Sequence, residues 1–112
     1  MKEIRAYIKP HKLSEVTLAL HGVDGLTGMS VIDACGFGRR HKPARHEKGE
    51  DAFDHVACTK LEIVCSDELA NAVVATILKH AHTGLKGDGK IYVYEVQDAI
   101  RISTGEHGRS AI

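Results

Sequence analysis

The chain has 112 residues, three cysteines and a formal net charge of zero, because fifteen basic side chains balance fifteen acidic ones. This length is typical of a single domain, here residues 1–112, that buries its own core. The sequence has no apolar run long enough for a membrane span and no secretory signal, and its balanced charge argues against general nucleic-acid binding. The odd number of cysteines, without a CxxC spacing, indicates a reducing compartment, so we expect a cytoplasmic protein.

The first third of the chain alternates between strand and helix patterns. Residues 3–9 alternate between apolar and polar side chains, which predicts a half-buried strand that Pro10 ends. Apolar residues at helical spacing then predict a helix from Leu13 to about Gly22. Residues 28–35 predict a second strand.

The rest of the chain repeats this order after a long polar segment. Residues 55–65 alternate as a third strand, and Ser66 supplies an N-cap signal for a second helix that runs to about His80. Residues 91–96 predict a fourth strand, and a polar tail follows. The apolar face predicted for the second helix consists of Leu69, Val73, Ile77 and Leu78.

This β-α-β-loop-β-α-β order predicts an α+β fold, the ferredoxin-like sandwich, with four antiparallel strands and both helices on one face. The other face of the sheet is amphipathic rather than purely polar, a composition that suits contact with sister subunits. The side chains expected on that face are Arg5, Tyr7, Lys60, Glu62, Tyr92 and Tyr94.

A glycine-rich loop lies between the second helix and the fourth strand. It reads Thr-Gly-Leu-Lys-Gly-Asp-Gly-Lys over residues 83–90. Glycine leaves backbone N–H groups accessible and lysine adds a fixed positive charge, and a polyphosphate needs both. Gly-Asp-Gly is also ordinary turn chemistry, so the loop alone does not decide between a turn and a phosphate site.

Several segments together resemble the PII signal-transduction proteins over essentially the whole length. Ile-Lys-Pro ends the first strand, Gly-Phe-Gly-Arg opens the long segment at Gly36, and Ile-Arg-Ile followed by Thr-Gly-Glu lies in the tail. The most specific motif is Thr83-Gly84 followed by Gly-Asp-Gly-Lys-Ile-Tyr-Val over residues 87–93. These motifs occur in the family's order and at its separations.

The resemblance implies a homotrimer that binds ATP or ADP in clefts between subunits. Mg²⁺ can accompany the bound nucleotide. Residues 37–55 correspond to the T-loop, 82–90 to the B-loop and 99–112 to the C-terminal loop. The T-loop would dock on a membrane transporter or a metabolic enzyme, recruiting the protein to the membrane periphery in the first case. The implied nucleotide-binding residues are Ser30, Gly36, Gly38, Arg39, Arg40, Glu62, Val64, Gly87, Asp88, Gly89, Lys90, Arg101 and Ser103.

Three positions depart from the family pattern. Family members that sense 2-oxoglutarate have a glutamine where this chain has Arg40 and a lysine where it has Cys58. An arginine repels Mg²⁺, and a cysteine is a poor partner for a carboxylate, so both changes argue against 2-oxoglutarate sensing. A second phosphate-binding arginine of the tail is replaced by Ser103, which should weaken triphosphate binding more than diphosphate binding.

The T-loop has diverged as well. It contains no tyrosine, and Phe53 cannot accept a nucleotidyl group, so regulation by tyrosine modification is not expected. The residues expected to meet a partner are Arg45, His46, Glu47, Lys48 and Phe53.

Two alternatives remain open. His41, His46 and His55, with carboxylates nearby, would suit a metal-responsive PII-like protein linked to a metal-efflux transporter, although their spacings fit no tight structural site. A ferredoxin-like interaction module without a ligand is the other alternative. Neither Cys35 nor Cys58 lies in a turn that would support a nucleophile, so the chain is not expected to be an enzyme.

Overall fold

The computed structural model of the chain describes residues 1–36 and 56–112, apart from the side chain of Cys35. Its main elements are β1 (Lys2–Ile8), α1 (Leu13–His21), β2 (Ser30–Gly36), β3 (Val56–Cys65), α2 (Asp67–Ala81) and β4 (Lys90–Glu95). Single 3₁₀ turns occupy Pro10–Lys12 and Gly108–Ala111.

The four strands form one antiparallel sheet in the order β2-β3-β1-β4. β1 and β3 occupy the centre, and Arg5 lies opposite Glu62 on one side and opposite Tyr92 on the other. β2 and β4 form the two edges. This order confirms the predicted ferredoxin-like fold.

The core lies between the sheet and the two helices. Alternate residues of β1 and β3 point toward α1 and α2, which pack side by side, as the periodicity of the sequence predicted. Fully buried side chains of this size each contribute roughly 1.5–3 kcal/mol through burial. The largest of them are Ile4, Leu61, Ile63, Ile77, Val16 and Val73.

The opposite face of the sheet carries aromatic and charged side chains in mutual contact. The rings of Tyr7 and Tyr92 meet edge to face with centroids 6.2 Å apart. The Arg5 guanidinium lies 4.6 Å from the centroid of the Tyr94 ring, and the Lys60 ammonium lies 5.9 Å from that of Tyr7. The sheet therefore has a preorganised amphipathic face, as expected.

Two details of the second helix differ from expectation. Leu78 is 60% exposed, and small residues, Ala70 and Ala81, complete the buried stripe in its place. Ser66 does occupy the N-cap position, but its side chain makes no capping hydrogen bond. Within the described ranges, no helix combines the length and the apolar character needed to cross a bilayer.

The tail is folded rather than merely polar. Ile100 and His107 form an isolated antiparallel bridge, and the Asp98 carboxylate accepts hydrogen bonds from the backbone N–H groups of Ala99 and Gly108. The Nδ1 of His107 lies 2.8 Å from the same carboxylate. These contacts join side chains to backbone and leave no hydrophobic period, which explains why the sequence pattern did not predict them.

Candidate nucleotide-binding site

The glycine loop has a backbone that side chains would obstruct. Gly84, Gly87 and Gly89 all adopt positive φ, with values of 79°, 84° and 101°. A Cβ on Gly89 would overlap the carbonyl oxygen of Tyr7 in β1. The loop therefore lies tightly against the end of β1. Because the three glycines have no side chains, none of their own atoms covers the backbone N–H groups there.

Asp88 faces the interior of this loop. Its carboxylate accepts hydrogen bonds from the hydroxyl and the backbone N–H of Thr83, the latter at 2.8 Å, and lies 3.2 Å from the Nζ of Lys9. The Thr83 hydroxyl, then its N–H, and then the Lys9 ammonium hold the pKa of Asp88 well below its usual range. The carboxylate is thus ionised and engaged within the protein.

Lys90 begins β4 directly opposite Tyr7 and is exposed. Among the residues that the structure describes, no acidic side chain forms a salt bridge with it. With respect to that part of the chain, its ammonium is available, next to the glycines, for an anion.

A second group of predicted residues lies on the β2–β3 side of the sheet. Ser30 is directly opposite Glu62, and with Val64 they line an open depression of about 510 Å³. A hydrogen bond from Lys60, whose Nζ lies 2.8 Å away, lowers the pKa of Glu62. Ile112, from the end of the tail, reaches into the same depression.

The tail presents Arg101 in a fixed setting. Its backbone N–H donates to the carbonyl of Glu106 at 2.9 Å, and its guanidinium donates to the carbonyl of Ser110 at 3.0 Å. Ser103 is exposed in the adjoining turn. Ile102 between them is fully exposed, which is an unusual setting for a large apolar side chain.

One chain does not bring all these residues together. The glycine loop and Lys90 lie at the β4 edge, while Ser30 lies at the β2 edge. Three strand spacings separate these edges, which amounts to about 14 Å across the sheet. The two groups of predicted residues therefore lie at opposite edges of the sheet within one copy.

The remaining predicted residues lie at the end of a described range or outside the described ranges. Gly36 is the last residue of β2 and pairs with Val56. Gly38, Arg39, Arg40 and the partner residues Arg45, His46, Glu47, Lys48 and Phe53 lie outside the described residues, as do the metal candidates His41, His46 and His55. In the described part of the chain, no cluster of three or more potential metal ligands occurs.

Sequence reasoning gave Lys9 no part in this site and included Thr83 only as a member of the glycine-rich segment. Alternation placed Lys9 on the outward face of a strand, whereas its side chain is only 19% exposed and reaches the glycine loop. The Ile-Lys-Pro motif was a signal, since Pro10 restricts the backbone of the residue before it. The contribution of Ile112 could not be read from the sequence, because it depends on the fold of the tail.

Comparison with known proteins points to a single family. The family model described as "Nitrogen regulatory protein P-II" matches residues 1–106. The chain is 46% identical to a nitrogen regulatory protein P-II of Rhodospirillum rubrum and 48% identical to that of Rhizobium meliloti, with all of both chains covered. It is 45% identical to the nitrogen regulatory protein P-II 1 of Escherichia coli, again over all of both chains.

These relationships cover the sheet, both helices and the glycine loop. The chain belongs to the P-II family of nitrogen regulatory proteins. Membership supports a role in signalling.

Proposed function

We propose that the chain is a PII-type signalling protein that binds ATP and ADP in clefts between the subunits of a homotrimer. Residues 37–55 then act as the docking segment for a regulated target. The observation that carries the proposal is the division of the candidate site between the two edges of the sheet. The glycine loop of one copy would hold the phosphates, and the Ser30–Glu62 edge of the next would hold the base and ribose.

The chemistry of the two edges supports this assignment. The β4 edge offers glycine backbone and Lys90, a combination suited to phosphate. The β2 edge offers Ser30, the Glu62 carboxylate and the apolar Val64, which suit a ribose hydroxyl and the face of a purine. Arg101 would complete the phosphate site from the tail with a forked contact.

The amphipathic face of the sheet supports the assembly. The exposed rings of Tyr92 and Tyr94 lie beside charged groups that are already paired within the subunit, such as Arg5 with Glu3. Aromatic side chains with arginine nearby are enriched at subunit interfaces. Packing three such faces around a common axis would also bring the two different edges of neighbouring copies next to each other.

We do not expect 2-oxoglutarate to be an effector. Cys58 lies half-buried in β3 opposite Ala34, so the position where sensing members carry a lysine holds a short side chain that cannot supply a positive charge. An incoming dicarboxylate would find no cation there. The nucleotide ratio is then the input, and the nucleotide that better fits one conformation of the docking segment favours that conformation.

The location and partners of the protein follow from this role. We propose a cytoplasmic trimer that binds either a membrane transporter, and so reaches the membrane periphery, or a metabolic enzyme.

Calorimetric titration of the purified protein with ADP and with Mg-ATP, each with and without 2-oxoglutarate, tests the proposal. Sedimentation at the same protein concentration gives the mass, which should be three times the 12.2 kDa of one chain. We expect nucleotide to bind and 2-oxoglutarate to leave the affinity unchanged. The absence of nucleotide binding would leave only an interaction module, and a rise in ATP affinity with 2-oxoglutarate would show an ordinary nitrogen-status sensor.

A further inference from the structure

A polar network under the glycine loop connects three elements of the fold. Lys9 follows β1, Thr83 follows α2, and Asp88 precedes β4. The Nζ of Lys9 donates to the Thr83 hydroxyl at 3.1 Å and lies 3.2 Å from the Asp88 carboxylate. The side chains of Lys9 and Asp88 are 19% and 24% exposed, so these contacts are partly shielded from water.

The bonding of Thr83 is complete. Its hydroxyl donates to Asp88 and accepts from Lys9 and from the backbone N–H of Leu85, the last at 3.1 Å. A hydroxyl has one donor and two acceptor positions, and all three are used. The hydroxyl of Thr83 therefore has no free position, and the network ties residue 83 to residue 88 across the loop.

The Lys9 side chain also lies close to Gly87, one of the glycines proposed to face a phosphate. A Cβ placed on Gly87 would lie 3.8 Å from the Cε of Lys9, so the lysine stem passes directly beneath this glycine. Pro10 restricts Lys9 to an extended backbone, with φ −65° and ψ 136°. The direction of the lysine side chain is thereby set by the end of β1.

The charges explain why a lysine is needed at this position. An unpaired Asp88 carboxylate next to Gly87 and Gly89 would repel an anion at the point where the loop is meant to receive it. Thr83 contributes hydrogen bonds but no charge. Among the described residues, only Lys9 brings a cation to Asp88.

We propose that Lys9 is the positioning residue of the phosphate-binding loop: it neutralises Asp88 and, through Thr83, fixes the loop in the shape that receives the nucleotide. The proposal rests on the proposed nucleotide-binding function. Lys9 itself need not touch the ligand, because its ammonium is already engaged beneath the loop.

Four variants test this proposal. Lys9→Met keeps the stem and removes the charge, Lys9→Arg restores a cation, and the double variant Lys9→Met/Asp88→Asn removes both charges together. Lys79→Met, at an exposed position of α2, is the matched control. Each protein is titrated with ATP and with adenosine, which carries the same base and ribose without phosphate.

We expect Lys9→Met to weaken ATP binding about ten-fold or more, as for the loss of a charge-assisted contact, and to leave adenosine binding unchanged. Lys9→Arg should recover most of the ATP affinity. The double variant should recover only part of it, because it no longer carries an unpaired carboxylate but also lacks the bonds of Lys9 and Asp88 to Thr83. The control should match the wild type. Equal losses for ATP and adenosine, or a double variant as weak as Lys9→Met, would overturn the proposal.

Hydrogen exchange of the ligand-free proteins separates this proposal from the proposed function. The N–H groups of Thr83 and Leu85 donate within the network, so they should be protected in the wild type and exchange faster in Lys9→Met. Faster exchange without any ATP binding by the wild type would refute the nucleotide function and keep the positioning role. Unchanged exchange would refute the positioning role.

Discussion

The α-carbon of Gly89 lies against the carbonyl oxygen of Tyr7, so closely that a methyl group would overlap it. Gly89 also has φ +101°, where side chains are strained. The entry of β4 into the sheet therefore depends on a residue without a Cβ. The same contact couples the glycine loop to the central strand β1.

Gly89→Ala should accordingly destabilise the protein by about 3 kcal/mol or more, since it combines overlap with backbone strain. Gly84→Ala is the control, because Gly84 has φ +79° but no atom within 4 Å of an added Cβ. It should cost only about 1–2 kcal/mol, the conformational penalty alone. Urea unfolding at one fixed protein concentration measures the free energy of unfolding of both variants. Equal decreases in that free energy would contradict the contact with Tyr7.

Asp88→Asn should lower stability at neutral pH, and its effect should vanish in acid. Hydrogen bonds from Thr83 and the charge of Lys9 lower the pKa of Asp88 in the folded state, relative to about 3.9 in the unfolded chain. The ionised carboxylate thus stabilises the fold fully above about pH 5, and this contribution is lost as the pH falls below the unfolded value toward the folded one.

The measurement is the difference between the urea midpoints of wild type and Asp88→Asn from pH 7 downward. We expect a constant difference to about pH 5 and a decline below about pH 4. A difference that does not depend on pH would mean that the carboxylate charge contributes nothing.

Tyr92→Glu should convert the proposed trimer into single subunits. Tyr92 is 44% exposed on the amphipathic face and lies opposite Arg5, which can pair with the new carboxylate inside the same sheet. The subunit should therefore stay folded while its interface acquires buried charge. Sedimentation reports the mass and circular dichroism the fold.

Leu18→Glu serves as the comparison for this variant. Leu18 is exposed on α1, on the opposite side of the molecule from the amphipathic face. It should leave the mass unchanged. A trimer that survives Tyr92→Glu would move the subunit contact away from the sheet.

Ser103→Arg should strengthen ATP binding by up to about ten-fold and ADP binding less, because it adds a cation to the turn that holds Arg101. Ser103 is exposed, so the larger side chain meets no packing constraint. Ala75→Arg, on the exposed side of α2, adds the same charge at a distance. Equal gains for the two nucleotides, or equal gains for the two variants, would show that Ser103 does not face the third phosphate.

The hydrophobic periodicity of the sequence was sufficient to predict the strands and helices of this fold. The alternation of Ile4, Ala6 and Ile8 and the helical spacing of Val16 and Leu20 each identify an element that buries one face, and all five side chains are buried. Such patterns persist because burial in a sheet or helix repeats at a fixed interval. The prediction that Leu78 is buried was wrong, because apolar character alone does not show which side of a helix is covered.

The candidate site was harder to predict from the sequence, for two physical reasons. Lys9 and Asp88 are far apart in the chain, and their pairing depends on the β1–β4 register, which no local pattern encodes. The tail is organised by Asp98 and its backbone donors rather than by hydrophobic contacts. The glycine loop was recognisable only because its residue types are unusual together.

The strand order has one last consequence, which follows from mass action. If a ligand bridges the β4 edge of one polypeptide and the β2 edge of another, binding and association promote each other. Dilution would then lower the apparent affinity for nucleotide, and nucleotide would raise the temperature at which the copies separate. The abundance of the protein would itself become part of the signal that it reads.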